Sequence, residues 1–349
     1  MIQELKEKIE KILGSAASDE REVLSQLRQL VFETELPGGQ TRDSKDIAAL
    51  VTENLKQMKS KTPNANSIKS GFAEFDVNFG GFGLGEFVVI GGRPSMGKTQ
   101  LLVNLALNMS TAHPVLYFTF DLSESILTNR FISSLSGVAV SKILQGDLSD
   151  EEHQVLAAIE PVFAQHKILL NDSCSNSMTD LRAHCKQQIE AHGVKVIIID
   201  YLQLMSATKH RNNRELEISY ISRALKNIAR DFNVCVIATS QLSRAVEVRG
   251  GAKIPQLSDL RESGALEQDA DKVIFIYRPE YYGISCDEVG NDTTGVTELI
   301  LAKNRNGALG SVKLKRNDDF TCFTDYIPSL VDFTFSKKRL DELKGSSPF

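Results

Sequence analysis

"FVVIGGRPSMGKTQ", residues 87–100, is the stretch that decides the fold. An apolar run over 87–90 leads into a glycine-rich loop that ends in Lys98 and Thr99, and an apolar helical pattern follows. The spacing G-x-x-x-x-G-K-T between a strand and a helix is that of a P-loop, which surrounds phosphate oxygens with backbone N–H groups. We therefore predict a nucleoside triphosphate site, and a chance glycine-rich turn is the weaker alternative.

The residue types of this loop predict how the nucleotide is held. The Lys98 ammonium would reach the β- and γ-phosphates, and the Thr99 hydroxyl would be a ligand of Mg²⁺. The predicted cofactors are therefore ATP and Mg²⁺. The predicted nucleotide-binding residues are Gly92, Arg93, Pro94, Ser95, Met96, Gly97, Lys98, Thr99 and Gln100.

A second metal ligand is predicted at the end of a later strand. "VKVIIIDYLQLM" is an apolar run that ends in Asp200, and a carboxylate beside a P-loop is suited to hold Mg²⁺. The alternative for Asp200 is an ordinary strand-end aspartate at a turn. The neighbouring P-loop favours the metal ligand.

Hydrolysis also needs a group that orients or deprotonates water. "VLYFTFDLSES" offers Asp121 directly after a buried strand and Glu124 shortly afterwards, and Asp121 is the first choice. "VCVIATSQLSR" ends another strand with Ser240 and Gln241. Gln241 is placed to sense the γ-phosphate and pass its presence to the following loop, and a polar turn residue is the alternative.

The rest of the chain predicts an α/β fold with a mostly parallel sheet. Short apolar runs alternate with helical patterns, as in a sheet that helices cover on both faces. Two strand-like runs around Asn306 and Gly307 predict a hairpin. The predicted strands outside the hairpin are 87–90, 115–120, 168–170, 194–199, 234–239 and 273–277.

A helical region is predicted before this sheet. Apolar residues recur at helical spacing in three stretches, the last of them over 45–60. These helices either form a small bundle or are covered by a neighbouring subunit. We predict a helical region over 1–66, an α/β nucleotide-binding domain over 67–330 and a C-terminal tail over 331–349.

Composition excludes several classes of protein. The 349 residues carry a formal net charge of −5 and are 42% hydrophobic, which is typical of a globular protein. Five scattered cysteines form no C-x-x-C pair, so they predict reduced thiols rather than a zinc site. No secretory signal and no apolar run of bilayer length is visible. These features predict a soluble cytoplasmic protein without membrane contact.

Several motifs together resemble one known family. "GGRPSMGKT", "IIIDYLQLM", "ATSQLSR", "LSDLRESGALEQDADKVIFIYRPE" and "AKNRNGALG" are similar to the RecA-like motor domain of DnaB-type replicative helicases. The resemblance covers residues 67–326, and its "SDLRESGALEQDAD" run is much more specific than a P-loop alone. It implies a RecA-like core in 67–330 and a hexameric ring that translocates on single-stranded DNA. It further implies ATP-driven unwinding of duplex DNA with 5′–3′ polarity.

The resemblance also implies roles for individual residues. Gly92, Gly97, Lys98 and Thr99 would hold the phosphates, Asp200 would serve Mg²⁺, and Gln241 would sense the γ-phosphate. The family's catalytic glutamate falls on Asp121, whose carboxylate stands one methylene back. Lys303 and Arg305 match basic fingers that reach into the neighbour's ATP site. From the residues alone, these two would be solvated charges beside a hairpin turn.

Three loops are implied in DNA binding. Arg261, Glu262 and Gly264 in "DLRESG" match a loop that grips the strand's backbone. Two other basic loops follow strands that end at the nucleotide side, and arginine contacts phosphate there without reading sequence. Solvated charged loops are an equal alternative for each. The basic residues of these two loops are Lys209, Arg211, Arg214, Arg244, Arg249 and Lys253.

Family members also carry a helical N-terminal domain and a linker helix. Segment 45–60 resembles the linker helix, while the expected domain before it is missing or reduced to residues 1–32. A helicase loader or a primase is the further partner that the resemblance implies. A function of another class, a slow ATP-binding assembly module that recruits replication or mobile-element partners, is favoured by Asp121 and by the reduced N-terminal region. A recombinase-like filament is a weaker alternative, because "SDLRESG" points elsewhere.

Overall fold

A nine-stranded sheet lies at the centre of the described part of the chain. The computed structural model describes residues 67–327, apart from 174–176, 207–212, 261–263, 288–289 and 318, together with a few positions before residue 67. The strands are β1 (Ser67–Ile68), β2 (Phe82–Gly83), β3 (Phe87–Gly92), β4 (Val115–Thr119), β5 (Ile168–Asn171), β6 (Val196–Asp200), β7 (Cys235–Gln241), β8 (Lys272–Tyr277), β9 (Val296–Asn304), β10 (Gly310–Arg316) and β11 (Phe323–Asp325). The helices are α1 (Ala73–Phe79), α2 (Lys98–Ser110), α3 (Glu124–Ser136), α4 (Val140–Gln145), α5 (Asp150–Ala157), α6 (Ile159–Phe163), α7 (Met178–His192), α8 (Arg214–Phe232), α9 (Ala245–Val248) and α10 (Gly264–Asp269).

The strand order of the sheet is β11-β10-β9-β8-β3-β7-β6-β4-β5. The six strands from β8 to β5 pair in parallel, and β9, β10 and β11 extend the β8 edge by antiparallel pairing. β3 therefore lies between β8 and β7, well inside the sheet. This mostly parallel sheet with flanking helices confirms the predicted fold class.

The predicted strands are all present, with small differences at their ends. Phe120 lies just after β4, and Val194 and Val234 lie just before β6 and β7. The predicted hairpin is the β9–β10 pair, whose turn contains Asn306 and Gly307. The short strands β1, β2 and β11 were not predicted, because runs of two or three residues show no alternation.

Alternate residues of β3 face two hydrophobic cores. Val88 and Ile90 pack on the side of α2, whereas Phe87 and Val89 pack beneath α7 and α8. Successive side chains of a strand point to opposite faces. A strand that is buried on both faces must therefore be a continuous apolar run, and this is the property that made β3 predictable.

The other predicted regions lie largely outside the described residues. This holds for the helical region 1–66, apart from isolated positions, for its linker helix 45–60 and for the tail 331–349. The boundary between residues 66 and 67 stays a prediction. Within the described part of the chain, no helix has the length and apolar character needed to span a membrane.

Candidate active site

The phosphate loop joins the end of β3 to the start of α2. β3 ends at Gly92, and α2 begins at Lys98 directly after Gly97, whose φ of 96° is left-handed. A Cβ at Gly97 would be strained at this φ and would lie 2.5 Å from the ring of Phe320. The turn brings the N-terminus of α2 to the cleft, where unpaired N–H groups of a first helical turn stabilise phosphate oxygens.

Lys98 is folded over the loop that precedes it. Its ammonium donates to the carbonyl oxygens of Gly92 (2.9 Å) and Arg93 (3.0 Å). Burial lowers the pKa of Lys98 to about 8; the Asp200 carboxylate opposes this shift, and the Arg93 guanidinium adds to it. A phosphate anion beside the ammonium would favour its charged form. The lysine is therefore suited to exchange its two carbonyls for a phosphate.

Asp200 is the meeting point of the predicted metal ligands. It ends β6, is only 3% exposed, and accepts hydrogen bonds from the hydroxyls of Thr99 (2.7 Å) and Thr239 (2.7 Å). The Tyr117 hydroxyl lies 3.4 Å from the same carboxylate, and burial raises the pKa of this tyrosine. A hydroxyl and a carboxylate side by side are the oxygen ligands that Mg²⁺ prefers. Thr99 and Asp200 therefore fit a magnesium site shared with phosphate oxygens.

These groups open into a cleft of about 460 Å³. Asp121 is exposed two residues after the end of β4, and Gln241 is the last residue of β7. Three predicted nucleotide-binding residues, Gly92, Arg93 and Met96, are buried and do not line the cleft. The lining residues are Pro94, Ser95, Gly97, Lys98, Thr99, Gln100, Asp121, Arg130, Asp200, Tyr201, Gln241 and Phe320.

Glu124 and Ser240 do not line this cleft. Glu124 begins α3, where its backbone N–H donates to Asp172 (2.9 Å). The Ser240 hydroxyl is buried and accepts from the Gln203 amide (2.9 Å), whose oxygen accepts from the backbone of Gln241 (3.2 Å). Of the carboxylates considered for activating water, Asp121 is the one that faces the phosphate loop.

Phe320 and Arg130 line the cleft although the sequence analysis did not single them out. Phe320 lies between β10 and β11 with its ring against Gly97. The Arg278 guanidinium lies 4.7 Å from the centre of that ring and also donates to the Ser95 carbonyl (3.1 Å). An aromatic ring at a nucleotide cleft can stack on a base. "NDDFTCF" has no periodicity, so only the fold brings Phe320 to the loop.

Lys303 and Arg305 rest on the end of α10. Both side chains donate to the Gln268 carbonyl, and Lys303 also donates to the Glu267 carbonyl. Carbonyl oxygens at the end of a helix attract cations. Burial lowers the pKa of Lys303, and the charge of Arg305 adds to this. The two cations are thus held together by one short helix.

This pair lies at the opposite end of the sheet from the phosphate loop. The Arg305 N–H donates to the Asp271 carbonyl (2.9 Å), and the Asp271 N–H donates to the carbonyl of Phe87 (2.8 Å), the first residue of β3. The phosphate loop begins after Gly92, the last residue of that strand. At about 3.3 Å per residue the strand separates the two ends by about 16 Å. An arginine side chain does not extend that far, so Arg305 cannot reach the phosphate loop of its own subunit.

The residues predicted to bind DNA are only partly described. Gly264 begins α10, whereas Arg261, Glu262, Arg211 and Lys209 lie outside the described residues. Arg214 donates to the carbonyls of Gln203 (2.7 Å) and Met205 (3.3 Å) and pairs with Glu217. Arg249 pairs with Asp259 through both of its terminal nitrogens. These two guanidinium groups are engaged within the chain, whereas Arg244 is exposed.

Comparisons with known proteins agree with this geometry. Residues 67–325 match the family model described as DnaB-like helicase C terminal domain. The chain is 38% identical over 312 residues to a probable replicative DNA helicase of Trieres chinensis. The aligned residues are 88% of this chain and 68% of that protein. It is 40% identical over 261 residues to the replicative DNA helicase DnaB of Haemophilus influenzae, which covers 73% of this chain and 54% of that protein. The chain thus spans between about half and two thirds of the length of these relatives.

Two solved structures are similar over most of the described residues. One, an ATPase domain, is 33% identical, with a TM-score of 0.75, over 82% of this chain and 100% of that one. The other is a DnaB-like replicative helicase, described together with its interactions with primase. It is 31% identical, with a TM-score of 0.76, over 93% of this chain and 76% of that one. Both similarities therefore extend over at least 82% of the chain.

Proposed function

The chain belongs to the family of DnaB-like helicase C-terminal domains, and from this membership we propose that it is an ATP-dependent DNA helicase. It works as a ring of six subunits, translocates on single-stranded DNA and unwinds duplex DNA with 5′–3′ polarity. The observation that carries the proposal is the cleft in which the phosphate loop, Lys98, the Thr99–Asp200 pair and Asp121 come together.

Nucleotide binding follows from the charges of this cleft. Lys98 leaves its two carbonyl partners and bonds to phosphate oxygens, and the N-terminus of α2 stabilises the same anion. Thr99 and Asp200 would hold Mg²⁺, which would neutralise phosphate charge. Thr239 and Tyr117 keep the Asp200 carboxylate oriented through their hydroxyls. Phe320 offers its ring to the base.

Asp121 supplies the group that orients or deprotonates the attacking water. It faces the cleft from the end of β4, and its charge is close enough to Lys98 to oppose in part the lowering of the pKa of that lysine by burial. Gln241 faces the same cleft from the end of β7, as a sensor of the γ-phosphate would. Its backbone bonds to Gln203, whose carbonyl holds Arg214 at the start of α8. A γ-phosphate signal would thus have a hydrogen-bonded route to Arg214 at the start of α8.

Lys303 and Arg305 complete the site of a neighbouring subunit. Their separation of about 16 Å from their own phosphate loop supports a role in trans rather than in cis. An arginine inserted from a neighbour stabilises the charge that develops in phosphoryl transfer. Hydrolysis would then require assembly, as expected for a ring. The segment 261–264, which leads into α10, would contact the DNA backbone together with the basic segments that carry Arg211 and Arg244.

The proposal is tested by strand displacement on a forked duplex with a 5′ single-stranded tail, with particle sizing in the presence and absence of ATP. We expect unwinding that requires ATP and Mg²⁺ together with a particle of about six copies. Lys98→Ala should abolish unwinding, and Lys195→Ala, a change of an exposed lysine remote from the cleft, should not. A protein that stays a single copy in ATP and binds no unpaired oligonucleotide at low salt would contradict the proposal.

The second candidate, a slow ATP-binding assembly module, is favoured by Asp121. Its carboxylate is one methylene shorter than a glutamate, and a displacement of a catalytic group by about 1 Å costs on the order of a hundredfold in rate. Such a chain would assemble on nucleotide and recruit partners without rapid unwinding. Turnover of the Asp121→Glu variant distinguishes the two functions. Contact with a helicase loader or a primase stays a prediction for this chain.

A further inference from the structure

The segment between β7 and α10 is fastened to the phosphate loop by an arginine. Arg93, the first residue after β3, is only 6% exposed. Its Nε donates to Glu247 in α9 (2.8 Å), and its Nη1 donates to the Leu242 carbonyl (2.7 Å). The hydrogen bond from Arg93 lowers the pKa of Glu247, so this contact is an ion pair. The start of the segment is thus bound at two positions, Leu242 and Glu247, to one side chain of the phosphate loop.

The same arginine is in contact with the lysine that binds phosphate. Its backbone carbonyl accepts a hydrogen bond from the Lys98 ammonium (3.0 Å). When Lys98 turns to a phosphate, this carbonyl loses its partner while the Arg93 side chain stays bound to Glu247. Arg93 therefore connects the phosphate-binding lysine, through its carbonyl, to α9, through its guanidinium.

The rest of the segment is braced by contacts within itself and with β8. Arg249 holds Asp259 through two hydrogen bonds (3.0 and 2.5 Å), and the Tyr277 hydroxyl donates to the Ala252 carbonyl (2.5 Å). Asp259 is 2% exposed, so this pair is an anchor rather than a surface contact. On the outer side of the segment, Arg244 is exposed just before α9. A shift of α9 therefore moves an exposed cation at the surface.

We propose that Glu247 is a positioning residue that couples the phosphate loop to segment 242–260 through Arg93. This inference rests on the proposed function, because it takes the segment as part of the DNA-contacting surface. Nucleotide in the cleft then changes how Arg244 and its neighbours meet a DNA strand. By linkage, DNA bound to the segment changes the affinity for nucleotide by the same factor by which nucleotide changes the affinity for DNA. The kinetic counterpart of this coupling, which need not have the same size, is the stimulation of ATP hydrolysis by DNA.

The test compares the ATP hydrolysis rate with saturating oligodeoxythymidine to the rate without it. In Glu247→Ala we expect this ratio to fall at least about fivefold toward one, the lower end of usual coupling strengths. Glu247→Gln keeps an oxygen that accepts from Arg93 and should retain more of the ratio. Glu190→Ala, which removes an exposed carboxylate of α7, is the matched control and should keep the full ratio.

The outcomes separate coupling from a structural role. If Glu247→Ala lowers both rates in the same proportion and leaves the ratio unchanged, the residue only supports the fold and the proposal is wrong. If Glu247→Ala does not fold, as judged by melting and particle sizing, Glu247→Gln carries the test: it removes the charge of the ion pair, and its ratio should lie below that of the unmodified chain. Removal of Arg93 in addition to Glu247 should lower the ratio no further. An unmodified chain that neither binds the oligonucleotide nor is stimulated by it overturns the proposed function, and this coupling with it.

Discussion

Arg305→Ala is expected to remove ATP hydrolysis while leaving nucleotide binding nearly intact. The side chain lies at the Phe87 end of β3, and the phosphate loop begins beyond Gly92 at the other end, about 16 Å away. This distance supports our proposal that the arginine acts on the site of a neighbour. Loss of an arginine that stabilises the transition state in trans lowers turnover by about 10³- to 10⁵-fold. Arg223→Ala, a change of an exposed arginine of α8, is the control and should keep the rate.

A mixture with Lys98→Ala tests the direction of this contact. Each variant alone is expected to be inactive, since one lacks the arginine and the other lacks the phosphate-binding lysine. In a head-to-tail ring assembled from equal amounts, about one quarter of the interfaces pair an intact phosphate loop with an intact Arg305. We expect that fraction of the unmodified amplitude in a single-turnover measurement of phosphate release. Single turnover removes any need for neighbouring sites to act in sequence.

Two results would refute this reasoning. Arg305→Ala that hydrolyses ATP near the unmodified rate would show that the arginine does not act in catalysis. A second refuting result is a mixture whose amplitude of phosphate release does not exceed that of its two components, although mixed rings have formed. It would show that Arg305 serves its own subunit. The second result would also mean that the ends of β3 come closer than the sheet described above allows.

Three further predictions concern the cleft. Gly97→Ala and Gly80→Ala should each lower the free energy of unfolding by about 1–3 kcal/mol, because both force a left-handed backbone on alanine. Gly97→Ala should have the lower melting temperature of the two, because only its Cβ meets Phe320. Equal melting temperatures would contradict that contact. Nucleotide affinity, followed by fluorescence titration, should fall as pH rises through about 8, because Lys98 is charged below that pH and neutral above it; a flat profile would show that the lysine stays protonated. Asp121→Glu should change steady-state turnover little, because a working helicase already places the shorter carboxylate correctly; a gain approaching a hundredfold would favour the slow assembly module instead.

The sequence indicated the sheet well because its strands are buried on both faces. Val88 and Ile90 serve one core while Phe87 and Val89 serve the other, so no polar residue interrupts the run. The P-loop was predictable for a different reason, since its spacing is imposed by the phosphate itself. The strand order was not predictable from the sequence, because β3 pairs with β7 and β8, which lie far from it along the chain.

Contacts between distant residues explain what the sequence could not indicate. Arg93 and Glu247 are separated by 154 positions, and nothing in either motif pairs them. Arg249 was predicted to contact DNA or to be a solvated charge, and its ion pair with the buried Asp259 was not indicated by the sequence. Phe320 reaches Gly97 only because β10 and β11 fold back over α2. Each of these depends on how elements pack rather than on a local pattern.

The turn between β10 and β11 has a consequence for the outermost strand of the sheet. Phe320 in this turn forms a wall of the cleft, and α2 holds the turn through Gln100, which donates to the Thr321 carbonyl, and through Asn104, which accepts from the Phe323 N–H (2.8 Å). An occupant of the cleft that packs on Phe320 will therefore slow amide hydrogen exchange in β11. β8, β9 and β10 separate β11 from β3. Hydrogen exchange in this edge strand would nevertheless show whether the phosphate loop is occupied.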